Sequence, residues 1–282
     1  MGKNKIALIT GATGLIGSRL VALAPLDVDV ITMSRSEEIP NADIIIHAAG
    51  YAQPALFMAD PIGTIQVNTR TTLRLLDKLN PGGVFLFCSS SEVYNGLNQE
   101  AQESDIGTTT PQHKRSAYIE GKRCGEAIVK AYRDRGITAI SARIATAYGP
   151  GTKKDDTRAI NQFIQQALTK KKIELKDRGE ALRTFCYVDD TADMLWRIVK
   201  GGCRPVYNVG GTETATIADL ARIIAEKTGA ELIIPTGDTN FIGAPKEVRM
   251  NLDSIRELGP FNYVSLSDGL DRTIAYQRGL YA

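Results

Sequence analysis

The stretch Ile6-Ala-Leu-Ile-Thr-Gly-Ala-Thr-Gly-Leu-Ile-Gly17 decides the fold, because it sets a strand, a glycine turn and the start of a helix in that order. The apolar residues 6–9 read as a short buried strand, and Ser18-Arg-Leu-Val-Ala-Leu23 continues with helical spacing. Gly11 permits the tight turn, Gly14 lets a pyrophosphate approach the backbone, and Gly17 lets the helix pack closely on the strand. The helix N-terminus then offers its free N–H groups to negative phosphates. A glycine-rich loop with no ligand is the plain alternative, and its place directly after a buried-type strand favours binding of a dinucleotide.

Outward from this stretch, apolar runs at 28–33, 43–48, 84–88, 137–142 and 206–209 read as further strands, and 64–79 and 118–135 carry helical periodicity. Alternating strands and helices predict an α/β fold, a Rossmann-type doubly wound parallel sheet. Only Ser34 to Ala42 separate the second strand from the third, too few for a helix plus a strand. One edge unit is therefore expected to be trimmed, leaving the adenine end of the cofactor pocket open. Residues 1–150 read as the dinucleotide-binding domain, with 185–210 returning to it. Residues 151–184 and 211–282 read as a smaller C-terminal substrate-binding domain. In that second part Ile160, Phe163, Ile164, Ala167 and Leu168 form a core stripe, and Thr216-Ile-Ala-Asp219 is a capping box for a helix ended by Gly229.

Composition narrows the function. A chain of 282 residues with 43% hydrophobic residues has enough material for one large or two modest cores. The formal net charge is +2 with both signs interspersed, so neither nucleic acid nor membrane attraction is implied. No apolar stretch approaches the ~20 residues that span a bilayer, and a cytoplasmic location is expected. Cys88, Cys124, Cys186 and Cys203 lack metal spacing, and His47 and His113 are isolated, so no metal is expected.

Two further segments carry chemistry: Phe85-Leu-Phe-Cys-Ser-Ser-Ser-Glu-Val-Tyr94 and Tyr118-Ile-Glu-Gly-Lys122. On a helix Lys122 stands on the same face as Tyr118, and its charge is expected to stabilise a tyrosinate. A phenol of pKa ~10 becomes a base at neutral pH only with such help. Ser90 closes the apolar run and is placed to orient a substrate alcohol, so the segments together read as a hydride-transfer site. Ser34-Arg35 closes the second strand with no acid before Glu37, which tilts the cofactor towards NADP on charge grounds. Arg183 and Arg249 are candidates for a substrate diphosphate, and each reads equally well as a surface ion-pair residue.

Over nearly its whole length the chain resembles the extended short-chain dehydrogenase/reductases that act on nucleotide sugars as epimerases, dehydratases and decarboxylases. The residues that carry the resemblance are Thr10-Gly-Ala-Thr-Gly-Leu-Ile-Gly17, His47-Ala-Ala-Gly50, Ser89-Ser-Ser-Glu-Val-Tyr94, Tyr118-Ile-Glu-Gly-Lys122, Arg143 with Tyr148-Gly-Pro150, and Arg183-Thr-Phe-Cys-Tyr-Val-Asp-Asp190. Ser90-Ser91-Glu92 before Val-Tyr is similar to UDP-glucuronate decarboxylases and GDP-mannose 4,6-dehydratases. The surroundings from Arg115 to Glu126 and from Arg158 to Leu168 look most like the decarboxylases.

The resemblance implies that Tyr118 takes the proton of the sugar 4-hydroxyl as hydride leaves carbon 4, that Lys122 holds the nicotinamide ribose, and that Ser90 shares the hydroxyl hydrogen bond. It implies that Glu92, with Ser91 beside it, assists loss of carbon dioxide or water from the 4-ketone. It also implies an NAD or NADP site of Gly11, Thr13, Gly14, Leu15, Ile16, Gly17, Ser34, Arg35, Ala48, Ala49 and Gly50 with Tyr118 and Lys122. Self-recycling relatives favour NAD. The chain departs from the family where Thr146 replaces an Asn that holds the substrate diphosphate, where Asn95 replaces a Gly, and where the missing edge unit removes an acidic contact to adenine. A homodimer through the Tyr118 helix is expected. Simple 4-epimerisation and keto-sugar reduction are the milder variants, and a non-catalytic dinucleotide-binding sensor or scaffold is the rival class.

Overall fold

The computed structural model describes residues 4–33, 38–237 and 244–282. Its main sheet has six parallel strands in the spatial order Val206–Val209, Thr138–Ile144, Leu79–Ser90, Ala42–His47, Lys5–Thr10, Val28–Thr32. The chain steps from Lys5–Thr10 out to Val28–Thr32, then crosses back so that Ala42–His47 lies on the other side of the first strand. This reversal is a topological switch point, the place where open α/β sheets leave a crevice beyond their strand ends. Among the described residues Val28–Thr32 is the edge of the sheet, with Lys5–Thr10 as its one neighbour, as the short 34–42 connection predicts.

Both faces of the sheet are covered, which is why its strands are apolar on both sides. One face packs Ile9, Ile46, Leu86 and Ile140 with Leu195, Trp196 and Ile198 of the helix Val188–Gly201. The other packs Leu8, Ile45, Phe85 and Phe87 with Leu75, Leu76 and Val129. A second sheet sets Thr214–Thr216, Leu182–Tyr187, Glu247–Met250 and Glu100–Ala101 side by side, and Thr146–Tyr148 pairs with Leu182–Tyr187. Over it the helices Ala159–Lys170, Ile217–Thr228 and Leu266–Tyr281 close a separate core around Tyr148, Phe163, Phe185 and Ile224. The capping box forms as read, with Thr216 Oγ1 accepting from Asp219 N–H and Gly229 left-handed at the far end.

One expected element differs. The helix read over 64–79 is two helices, Pro61–Asn68 and Arg70–Leu76, meeting at Thr69 (φ −113°, ψ −73°). Thr64, Asn68, Thr69 and Thr72 all turn their side chains back onto carbonyls four residues earlier. Such bonds compete with the helical ladder and bend it. The strand that follows begins at Leu79, ahead of the apolar run 84–88. No helix among the described residues is long and apolar enough to cross a membrane, and none of their His, Cys, Asp and Glu side chains cluster as a metal site would require.

Candidate functional site

The glycine turn sits at the switch point and is built for close approach. Gly11 adopts φ +71°, and a Cβ there would lie 2.7 Å from Ala49 N and 2.8 Å from the Ala48 carbonyl. A Cβ on Gly17 would lie 2.1 Å from Gly11 O, so the helix Leu15–Ala22 presses directly on the turn. That helix starts at Gly14 with no side-chain cap and no acid in its first turn, so its N-terminal N–H groups at Leu15 and Ile16 face an open end beside exposed Thr13. This cradle fits a dinucleotide pyrophosphate. Ser34 and Arg35, the residues read for cofactor choice, lie outside the described residues.

Ala48, Ala49 and Gly50 leave the end of the neighbouring strand, and a buried histidine sets their course. The His47 ring bridges Thr10 Oγ1 (2.8 Å) and the Val67 carbonyl (2.9 Å), while Thr10 Oγ1 accepts from Ala49 N–H at 3.2 Å. The Val67 carbonyl requires Nε2–H as donor, which leaves Nδ1 to accept from the threonine hydroxyl. Burial holds His47 at a pKa of about 4, against an opposing push from the Val67 bond, so it is neutral at pH 7. A Cβ on Gly50 would come 3.8 Å from Lys122 Nζ, which joins this loop to the second half of the site.

The helix Ser116–Arg133 delivers Tyr118 and Lys122. It approaches the sheet closely because Gly125 leaves room: a Cβ there would meet the Phe87 ring at 2.4 Å and Asn68 O at 2.8 Å. The strand ending at Ser90 points its last residue at Tyr118, and a hydrogen bond from Ser90 favours the phenolate. Burial nevertheless dominates and pushes Tyr118 up to about 12, with Glu92 adding to the rise and Arg158 and Arg115 opposing it. The lysine-stabilised tyrosinate expected from the spacing must therefore form against this burial. Lys122 donates its 2.7 Å bond to the Cys88 carbonyl, stands 5.8 Å from the Tyr118 ring centre, and is itself held down at about 8 by burial, against the pull of Cys88 and Glu126.

On the far side of Tyr118 the structure gathers residues from four segments. Phe57, from the short helix Pro54–Ala59, stacks on the Tyr118 ring at 4.6 Å with an interplanar angle of 13°. The Arg115 guanidinium lies 5.9 Å from the Phe57 ring centre and pairs with Glu92 at 2.5 Å. Arg183 lies within reach of both charges: burial lowers its pKa to about 10, Glu92 opposes this, and Arg115 adds to it. The Arg183 guanidinium donates to the Leu182 carbonyl at 2.7 Å, so a positive charge stands beside the Arg115–Glu92 pair. Arg158 is already neutralised by Asp156, which it grips with 2.6 to 3.1 Å bonds; burial pushes that carboxyl up, and Arg158 more than offsets it to hold it below the usual range. Ser91 is buried in the turn Ser91–Tyr94 that carries Glu92.

Of the remaining candidates, Thr146 is half-buried at the start of the strand beside Phe185, and Arg249 is half exposed with its guanidinium engaged by Glu247. Sequence reasoning assigns no role to Phe57, Arg115 or Arg158. Arg115 carries a signal, since three residues before Tyr118 is one helical turn. Phe57 carries none, because its contact depends on how a separate helix folds over the site.

Known proteins are similar to this chain in sequence and in fold. Residues 7–210 match the NAD dependent epimerase/dehydratase family. The chain belongs to that family. It is an extended short-chain dehydrogenase/reductase. It is 34% identical over 234 residues to UDP-glucuronic acid decarboxylase 5 of Arabidopsis thaliana, covering 82% of this chain and 68% of that one. It is 29% identical over 310 residues to UDP-glucuronic acid decarboxylase 1 of Xenopus tropicalis, covering 98% of this chain and 72% of that one. Its fold superposes on the UDP-glucose 4-epimerase of Thermotoga maritima with a TM-score of 0.83 at 22% identity, covering 98% of this chain and all of that one. Family members bind NAD or NADP.

Proposed function

We propose that this family member oxidises carbon 4 of a nucleotide-linked hexuronate and decarboxylates the resulting ketone, as the UDP-glucuronate decarboxylases do. Hydride exchange with carbon 4 is the chemistry that bound NAD or NADP supplies. Tyr118 acts in its phenolate form, which Ser90, Arg115 and Arg158 favour against burial: the phenolate takes the proton of the 4-hydroxyl as the hydride departs, and Ser90 holds that oxygen. The new ketone is beta to the carboxylate on carbon 5, so the carbon–carbon bond breaks towards the ring, carbon dioxide leaves, and the electron pair rests on the enolate oxygen. Glu92 is the group placed to manage the proton that carbon 5 then gains. Return of hydride to carbon 4 and of the Tyr118 proton to its oxygen closes the cycle with no net redox change.

The observation that carries this reading is the surplus positive charge of the Arg115–Glu92–Arg183 group beside Tyr118. An anionic group of the substrate, its sugar carboxylate or its diphosphate, neutralises it, and the likeness to the UDP-glucuronic acid decarboxylases favours the carboxylate. Dehydration is the second reading, favoured by Glu92 standing next to the Ser90–Tyr118 pair, where it would serve proton loss at carbon 5 and expulsion of a 6-hydroxyl. We place the homodimer contact on the face of Ile62, Ile65 and Leu73, whose side chains are exposed on the helices beside the Tyr118 helix. Incubation with UDP-glucuronate, GDP-mannose and dTDP-glucose, followed by mass spectrometry, tests the chemistry. Loss of carbon dioxide from UDP-glucuronate supports the proposal. Loss of water, or a change of configuration at constant mass, replaces it with dehydration or epimerisation.

A further inference from the structure

Behind the candidate site runs a buried polar network that the proposed chemistry does not use. Glu126, two turns beyond Tyr118 and one beyond Lys122, pairs with Arg143 through bonds of 2.8, 3.0 and 3.1 Å, with side chains 11% and 6% exposed. Glu126 also accepts from the Ser89 hydroxyl at 2.5 Å. Arg143 donates from its remaining nitrogen to Tyr94 Oη (2.9 Å) and to the carbonyls of Glu103 and Asp105, and Tyr94 donates in turn to Asn208 at 2.7 Å. Ser89 is the residue before Ser90, and Tyr94 closes the turn that carries Ser91 and Glu92. One ion pair thus grips both ends of the segment from Ser89 to Tyr94.

The grip falls where the sheet stops helping. The ladder with the neighbouring strand pairs Ser89 with Arg143 and Ser90 with Ile144 and then ends, so Ser91 to Tyr94 have no strand partner in the main sheet. Beyond the ladder Glu92 is tied by Arg115 and Asn95, and Val93 by Arg123 and Gly107, and the ion pair adds the hold on the two ends of this element, which faces the cleft. Resting on the function proposed above, we infer that Glu126 and Arg143 are positioning residues: the pair brackets Ser90 to Glu92 and fixes them in register with Tyr118 and Lys122 on the helix that Glu126 shares. A buried pair is costly to desolvate, and its retention here is explained by the geometry it imposes.

The test uses Ser89→Ala, which releases one end of the bracket without breaking the ion pair, and Glu126→Gln, which keeps the shape and removes the charge. Each is assayed with UDP-glucuronate beside the wild type. A misplacement of about 1 Å costs up to roughly 100-fold in rate, so kcat is expected to fall about 10-fold in the first and about 100-fold in the second, with KM unchanged. Glu126 supports the Lys122 ammonium, so Glu126→Gln also moves the alkaline limb of the kcat profile to lower pH, whereas Ser89→Ala leaves it in place. Wild-type kcat in both variants, or losses confined to KM, overturn the bracket. If the wild-type protein turns over no nucleotide sugar, the proposed function fails by itself. The crystal structure of the Ser89→Ala variant then decides: Ser90 displaced from Tyr118 supports the bracket, and Ser90 still bonded to it overturns the inference.

Discussion

The two halves of the site are made in different ways. The cofactor side is backbone: Gly11, Gly17 and the uncapped start of one helix create a cradle from a dozen consecutive residues. The sugar side is side chains: Phe57, Glu92, Arg115 and Arg183 arrive from four separate segments and meet only because of the topology. A binding function that needs peptide N–H groups is written locally. A specificity function that needs opposed charges is written in tertiary contacts, where a single substitution changes it without disturbing the cradle.

The sharpest way to break this comparison is to separate chemistry from binding at their junction. Tyr118→Phe removes the phenol and keeps the ring that stacks on Phe57. Turnover should fall by about 10²–10⁴, while calorimetric affinities for dinucleotide and nucleotide sugar stay within about twofold. A dinucleotide affinity that collapses with turnover would mean the halves are not separable.

His47 joins the halves and gives the next largest effect, read in stability. It is neutral in the folded protein down to about pH 4 and has an ordinary pKa of 6.5 once unfolded. Between those values the unfolded chain binds the extra proton, so stability is full above about pH 6.5 and falls as the pH drops towards 4. The loss is about 3 kcal/mol. Urea denaturation at pH 7 and pH 4 measures it, and His47→Gln, which cannot titrate, should flatten that portion of the profile. Carboxylates such as Asp156, whose pKa is lowered when folded, act below their own unfolded value, whereas Asp190, which burial raises to about 6, gains stability as the pH falls below 6, so the difference between wild type and His47→Gln isolates the His47 contribution.

On the cofactor side Gly17→Ala sharpens the contrast. A methyl 2.1 Å from Gly11 O forces the helix off the turn, at a cost of about 1–3 kcal/mol. Dinucleotide affinity should drop about 10-fold or more, while nucleotide-sugar affinity, measured separately by calorimetry, stays near the wild-type value.

Legibility in the amino-acid sequence follows the same division. The glycine turn, the Tyr118–Lys122 spacing, the parallel sheet with a trimmed edge and the Thr216 cap all rest on residues within a few positions of one another, where period and turn chemistry act directly. The break at Thr69 escapes such a reading because helical periodicity records apolar positions and ignores four polar side chains bonded back onto the ladder. Burial under Phe57, which opposes the tyrosinate, escapes such a reading because it comes from a separate helix, whereas a lysine four residues away is a local fact. Arg183 reads as a diphosphate ligand or an ion-pair residue, and only its neighbours, Glu92 and Arg115, give it a context.

The smallest predicted effect tests whether that context is geometry or charge. Arg115→Lys keeps the positive charge near Glu92 and loses the planar fork that both pairs with the carboxylate and lies over Phe57. If the sugar side works by charge alone, kcat/KM for UDP-glucuronate is unchanged. The stack of Tyr118, Phe57 and Arg115 argues otherwise: a flexible ammonium cannot hold Glu92 and cover the ring together, so kcat/KM should fall about 10-fold, with dinucleotide affinity unaltered. Combined with Arg183→Lys, the joint loss should fall short of the sum of the two, because both guanidiniums feel the charge of Glu92 and each other, and coupled neighbours do not add.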